Sequence, residues 1–142
     1  MADVLRPEQR RHNMSRIRSR DTKPELILRS MLHARGYRYR LHAKNLPGTP
    51  DLVFTRKRKA IFVNGCFWHL HSCQYGQVRP KTNAAFWETK RQETAARDAR
   101  KTASLEEAGW QVLTVWECEL RHPNAALGQV LEFLESPNAG TA

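Results

Sequence analysis

The chain predicts a mixed α/β domain, on three observations. Hydrophobic periodicity between residues 22 and 116 gives the order helix, three strands, helix, strand. One of those strands, Ala60-Ile-Phe-Val63, is apolar enough to be buried on both faces. It breaks at Asn64-Gly65 into a loop that sets two cysteines, two histidines and two adjacent aromatics within residues 66–73. Thiolate and imidazole are the ligand types that zinc prefers, and large rings beside them suit stacking on bases.

The elements follow in order. Residues 1–20 carry Arg6, Arg10, Arg11, Arg16, Arg18 and Arg20 with few apolar residues, and read as a basic arm that orders on nucleic acid. Met14 and Ile17 share one narrow face of that arm. Met14 either wedges between bases or packs the arm onto the body. The body spans 21–135. Its first helix starts at Thr22, with Pro24 in the first turn and Glu25 completing a capping box, and it stops at Gly36. The box gives Glu25 a structural task of its own.

Tyr37, Tyr39 and Leu41 alternate with Arg38, Arg40 and His42, the pattern of a half-buried strand. A rigid loop over 45–50 leads to a strand over 51–54. The basic turn 56–59 joins it to the strand 60–63, so the pair reads as a hairpin. A loop over 74–82 precedes a long helix over 84–108, capped by Asn83. Ala95, Ala96, Ala99 and Ala103 would let that helix pack closely on the sheet, and Gly109 ends it. A buried strand over 111–116 places Cys118 just past its end. A helix over 124–134 and a disordered tail over 136–142 complete the reading.

Composition bounds the function. The chain has 142 residues, 40% of them hydrophobic, enough for one domain with its own core. No run approaches the roughly 18 apolar residues of a membrane span, and no secretory h-region opens the chain. A reducing compartment and unpaired cysteines are therefore expected, which favours metal ligation over a disulfide framework. The net charge is +10, and residues 1–40 hold eleven Lys and Arg against four Asp and Glu. A polyanionic partner, nucleic acid, follows, against the plainer reading of a basic solvated face.

Three constellations carry chemistry. Cys66, Cys73 and Cys118 with one histidine, His69 or His71, would close a tetrahedral zinc site. The plainer reading is three core cysteines and two surface histidines. Asp51, at the head of its strand, could hold a hard cation such as Mg²⁺ against a phosphate, or simply cap the strand. The next strand lacks the Glu-x-Lys that often partners such an Asp. A carbonyl near Val63 and a histidine base, His69 being nearest, would have to stand in. Finally, Phe67, Trp68 and Trp87 are aromatics that need not all enter one core.

Many of these residues fall into a recognisable set. Asn13-Met14, Arg20-Asp-Thr22, Glu25, Leu46-Pro-Gly48, Pro50-Asp51, Gly65-Cys-Phe-Trp-His69, His71, Cys73, Phe86-Trp87, Arg97-Asp98, Gly109-Trp110 and Val115-Trp-Glu-Cys118 resemble the very-short-patch-repair DNA mismatch endonucleases of bacteria, over about residues 10–120. The resemblance implies a restriction-endonuclease-like core with a structural zinc site. It implies Mg²⁺-dependent nicking of duplex DNA, 5′ to the thymine of a T:G mismatch left by deamination of 5-methylcytosine.

By the same resemblance, Asp51 and the Val63 carbonyl would hold Mg²⁺, His69 would be the general base and Asp98 would orient it. Glu25 would lie near the catalytic centre. Cys66, His71, Cys73 and Cys118 would hold Zn²⁺. Phe67, Trp68 and Trp87 would intercalate from the major groove, and Met14 would approach from the minor groove. The expected partner is T:G-mismatched duplex DNA, with other mismatch-repair proteins, for a cytoplasmic, nucleoid-associated monomer. Asn64 departs from the pattern, which has histidine there and so another candidate base. The rival readings are a nuclease of the same fold with another DNA target, and a non-catalytic zinc module that binds DNA.

Overall fold

Thr22 starts the first helix, α1 (Lys23–Ala34): its hydroxyl accepts the Glu25 amide at 3.4 Å. The reciprocal half of the capping box is shifted by one residue. Glu25 Oε1 accepts the amide of Asp21, at 3.1 Å, rather than that of Thr22. Gly36, at φ +91°, ends the helix, because the amides of Gly36 and Tyr37 turn back to the carbonyls of His33 and Leu32. The structure, a computed structural model, describes residues 21–66, 69, 71–74, 77 and 81–137. The predicted arm over 1–20 lies outside them.

A four-stranded sheet follows, in the order β1 (Arg40–Leu41), β2 (Leu52–Phe54), β3 (Lys59–Asn64), β4 (Gln111–Trp116). The pairs β1–β2 and β2–β3 are antiparallel and β3–β4 is parallel. The hairpin expected between β2 and β3 is present. The long helix α2 (Ala84–Glu107) makes the crossover that a parallel pair requires. A 3₁₀ turn (Glu119–Arg121) and α3 (Pro123–Glu135) close the chain.

Strand periodicity divides the core. Leu52, Phe54, Ile61 and Val115 face α1 and α3, meeting Leu28, Leu32, Val130 and Leu134. Val53, Ala60 and Phe62 face the other way, onto Leu105 of α2 and Trp110. Each large aliphatic residue so enclosed contributes about 1.5–3 kcal/mol.

Four expectations need correction. The strand expected over 37–42 pairs only at Arg40–Leu41, and Leu41 is exposed. His42 adopts φ +48°, which breaks the alternation and turns its side chain inward. Tyr37 and Tyr39 still pack edge-on or tilted against Phe54. The alanine stripe does not pack α2 on the sheet: Ala96, Ala99 and Ala103 are exposed, and Arg91 and Leu105 are the buried residues of the helix. Asn83 occupies the cap position in a left-handed conformation without a side-chain cap hydrogen bond. Strand β4 is an edge strand with only Val115 fully enclosed, not a buried one.

The burial of Lys59 and of Arg91 was not foreseen. Lys59, read as part of a basic turn, is 0% exposed. Its ammonium donates to the carbonyls of Phe133, Leu134 and Ser136 at 2.6, 3.2 and 2.5 Å, and lies 3.1 Å from the Ser136 hydroxyl. It therefore caps the C-terminus of α3, where carbonyls lack partners and the helix dipole favours a cation. Among the described residues no helix is long and apolar enough to cross a membrane.

Candidate active site and metal centre

The sheet topology gathers the candidate residues at one end. Strands β3 and β4 run parallel, so their C-terminal ends lie side by side, with Asn64 opposite Trp116. Antiparallel β2 brings its N-terminal end, Asp51, to the same place. In open sheets containing parallel strands, ligands gather at such carboxyl ends.

The parallel register also explains the cysteines. The pairing continues one step beyond the strands through Glu117 N–H to the Asn64 carbonyl, 2.9 Å. Two residues past each strand end stand Cys66 and Cys118. The Cys118 amide donates to Cys66 Sγ at 3.3 Å, and Cys118 Sγ lies 3.5 Å from His71 Nδ1. Backbone bonds from His69 to Gly65 and from His71 to Cys66 fold the chain back over the strand end. One ligand atom each from Cys66, His71, Cys73 and Cys118 lies within 4.8 Å of all the others. A tetrahedral zinc with Zn–S near 2.3 Å would space its sulfurs about 3.8 Å apart, so the group needs only slight contraction.

The protonation chemistry agrees. Burial pushes the Cys66 thiol up to about 12, and burial also raises Cys118. Such thiols become thiolates only with a cation among them. His71 is the histidine in this group. Its ring stacks on Trp116 at 4.1 Å and 15°, which fixes its orientation. Sequence reasoning assigned Trp116 no part in holding the histidines.

His69 faces elsewhere. Its Nδ1 lies 2.5 Å from Asp98 Oδ2, on the middle of α2. A carboxylate only accepts, so Nδ1 carries the hydrogen and Nε2 of the neutral ring keeps its lone pair. The Trp116 ring stands edge-on to His69 at 6.4 Å.

Asp51 is 9% exposed, and its Oδ2 accepts the Val63 amide at 2.8 Å. This bond exists because β3 outruns β2 by residues 62–64, leaving the Val63 amide no strand partner on that side. Burial raises the Asp51 carboxyl to about 6; the Val63 bond opposes the rise, and the neighbouring Glu25 charge adds to it. Glu25 is 1% exposed. It takes hydrogen bonds from Asp21, from Arg29 at 3.0 Å and from His42 at 2.9 Å, more than a capping box alone would give it. Two buried carboxylates side by side make an oxygen donor set fit for a hard divalent cation. Sequence reasoning missed Arg29 and His42; neither spacing nor periodicity points to them.

The remaining candidates divide. Trp87 is half-buried at the start of α2. Phe86 beside it is 53% exposed and edge-on to it at 5.2 Å. Phe67, Trp68 and Met14 lie outside the described residues. Asn64 is buried at the end of β3, where a second histidine would have stood.

Comparison with known proteins gives a consistent result. Residues 2–75 match the family model described as DNA mismatch endonuclease Vsr. The chain is 48% identical over 135 residues to the type II nicking enzyme V.XorIIP of Xanthomonas oryzae pv. oryzae, covering 95% of this chain and 98% of that one. It is 45% identical over 121 residues to the DNA mismatch endonuclease Vsr of Escherichia coli, covering 85% of this chain and 77% of that one. The type II nicking enzyme V.NmeAIP of Neisseria meningitidis is 39% identical over 122 residues, 86% of each chain.

Proposed function

This chain belongs to the DNA mismatch endonuclease Vsr family and is a DNA endonuclease, a hydrolase of phosphodiester bonds; from that premise we propose that it nicks duplex DNA on the 5′ side of the thymine of a T:G mismatch. The observation that carries the reading is the convergence of Asp51, Glu25 and the end of β3 at the sheet end that also carries the loop with His69.

In this reading Asp51 and the Val63 carbonyl would hold a divalent magnesium ion. When bound, that ion supplies charge neutralisation at the scissile phosphate and makes water a stronger acid. His69 takes the proton of the attacking water at Nε2, while Asp98 holds Nδ1–H and compensates the imidazolium that forms. Asp98 thereby fixes both tautomer and ring orientation. Asn64 stands where the family pattern has histidine and has no basic nitrogen, so the proton transfer falls to His69 alone. The restriction-endonuclease-like classification of the core follows from the same reading.

The cysteine set Cys66, His71, Cys73 and Cys118 would hold zinc. A closed set of four leaves no position for water, so its part is to clamp the loop that carries His69 to the end of β4. Phe67, Trp68 and Trp87 would wedge beside the mismatch, with Met14 on the basic arm opposite. A mismatched step has already lost stacking and pairing, so opening it costs less than opening paired duplex. The organisation proposed is an arm over 1–20, an endonuclease domain over 21–135 and a tail over 136–142, acting as a monomer on cytoplasmic DNA.

The test uses three duplexes that differ only in one pair, T:G, T:A or C:G, with Mg²⁺. Selective nicking of the T:G duplex, abolished by Asp51→Ala with DNA binding retained, is expected. Equal cutting of all three would favour a sequence-directed nuclease. Binding of the T:G duplex without cutting would favour a zinc module.

A further inference from the structure

His42 links the Glu25 carboxylate to the backbone of Asp51. Its amide donates to the Asp51 carbonyl at 3.1 Å, continuing the β1–β2 ladder one step past Leu41. Its Nε2 donates to Glu25 Oε2 at 2.9 Å and lies 3.8 Å from Asp21 Oδ1. To do both it takes φ +48°, a region that residues with a side chain rarely enter. Left-handed strain kept in a non-glycine residue beside a reactive site is a reason to look for function.

The rest of the shell around Glu25 is equally directed. Arg29 Nη1 bridges Glu25 Oε2 at 3.0 Å and Asp21 Oδ1 at 2.6 Å, and the Asp21 amide holds Glu25 Oε1. Arg29 lies on the same helix as Glu25, and Asp21 just precedes it, so neither can set how that helix stands against β2. His42 can: among the described residues it is the donor to this carboxylate that comes from the β1–β2 connection, and its own amide is bonded to the Asp51 backbone carbonyl.

We propose that His42 is a positioning residue for the reaction. It ties Glu25 on α1 to Asp51 on β2 so that the two carboxylates converge on one divalent-cation position. The inference rests on the magnesium-dependent nuclease reading above. The plainer alternative is that His42 only stabilises the start of α1. Orienting partners of metal-binding carboxylates matter through geometry, and losing one typically costs about 10–100-fold in metal affinity or activity.

His42→Gly removes the imidazole and also relieves the left-handed backbone, so this variant retains its fold. His42→Gln keeps an N–H donor at nearly the reach of Nε2. The proteins are compared by thermal unfolding, by T:G duplex affinity, by kcat and KM for nicking, and by Mn²⁺ titration without DNA. His42→Gly is expected to match the parent in unfolding temperature and DNA affinity. It should lose about tenfold or more in kcat and in Mn²⁺ affinity, and His42→Gln should recover most of both. Parental kcat and Mn²⁺ affinity in His42→Gly would overturn the inference alone, as would a His42→Gln variant no better than His42→Gly. A parent that neither nicks nor binds Mn²⁺ would overturn the nuclease-site reading and the inference with it.

Discussion

Replacing Asp51 with asparagine should make the metal-free protein more stable while it destroys the enzyme. Burial holds this carboxyl at about 6 in the folded chain, against an ordinary value of 3.8. Two pKa units at about 1.4 kcal/mol each give roughly 3 kcal/mol of destabilisation from the ionised group at neutral pH. Asparagine has no charge to desolvate, can still accept from the Val63 amide, and can donate to Glu25. A gain of about 1–3 kcal/mol follows, or several degrees in unfolding temperature at about 2–4 °C per kcal/mol for a chain of this size. The sign of the pH dependence is fixed. Between about 4 and 6 the folded chain binds the Asp51 proton and the unfolded chain does not, so stability falls as pH rises through that window. Above it the penalty is constant, and below it the penalty vanishes. Thermal unfolding of both proteins in chelator, from pH 4 to 8, measures this. A less stable Asp51→Asn at pH 7, or an advantage unchanged at pH 4, would refute the argument.

Three further outcomes are expected. Asp98→Asn leaves an oxygen acceptor for His69 Nδ1–H but removes the charge that compensates the imidazolium, so kcat should fall about 10²–10⁴-fold with little change in duplex affinity; single-turnover nicking and a binding titration check it. Cys118→Ser should lower bound zinc, expected near one per chain by atomic absorption, and lower the unfolding temperature as strong chelation does in the parent; a folded parent free of zinc would contradict the metal centre. Lys59→Ala removes the ammonium donor from the carbonyls of Leu134 and Ser136, and from that of Phe133, which keeps only its bonds from Ser136, and should cost about 2–4 kcal/mol in urea unfolding, whereas an unchanged midpoint would show that water replaces the ammonium.

The elements that could be read from the sequence share a cause: their signal is local. The strand 60–63 and the cysteine–histidine loop after it are contiguous, and Thr22, Pro24 and Gly36 mark a helix by backbone chemistry within a few residues. Cys118 was legible because it follows a strand end, as Cys66 does. Other features depend on pairs far apart in the chain. Lys59 meets residues 133–136 only once β3 and α3 are packed, and as sequence it is one more lysine in a basic run. His42 sat on the polar side of an alternating pattern. One left-handed residue moved it inward, and no periodicity encodes that. The alanines of α2 suggested close packing, yet the helix encloses little beyond Arg91 and Leu105.

The most direct test is to map the nick. A duplex with one T:G pair, end-labelled on either strand in turn, is incubated with the parent protein and Mg²⁺ and resolved to single nucleotides. One break is expected, in the thymine strand, at the phosphate 5′ to the mispaired thymine, with the guanine strand intact. Cleavage of the guanine strand, of both strands, or at a position unrelated to the mismatch would contradict the proposed function.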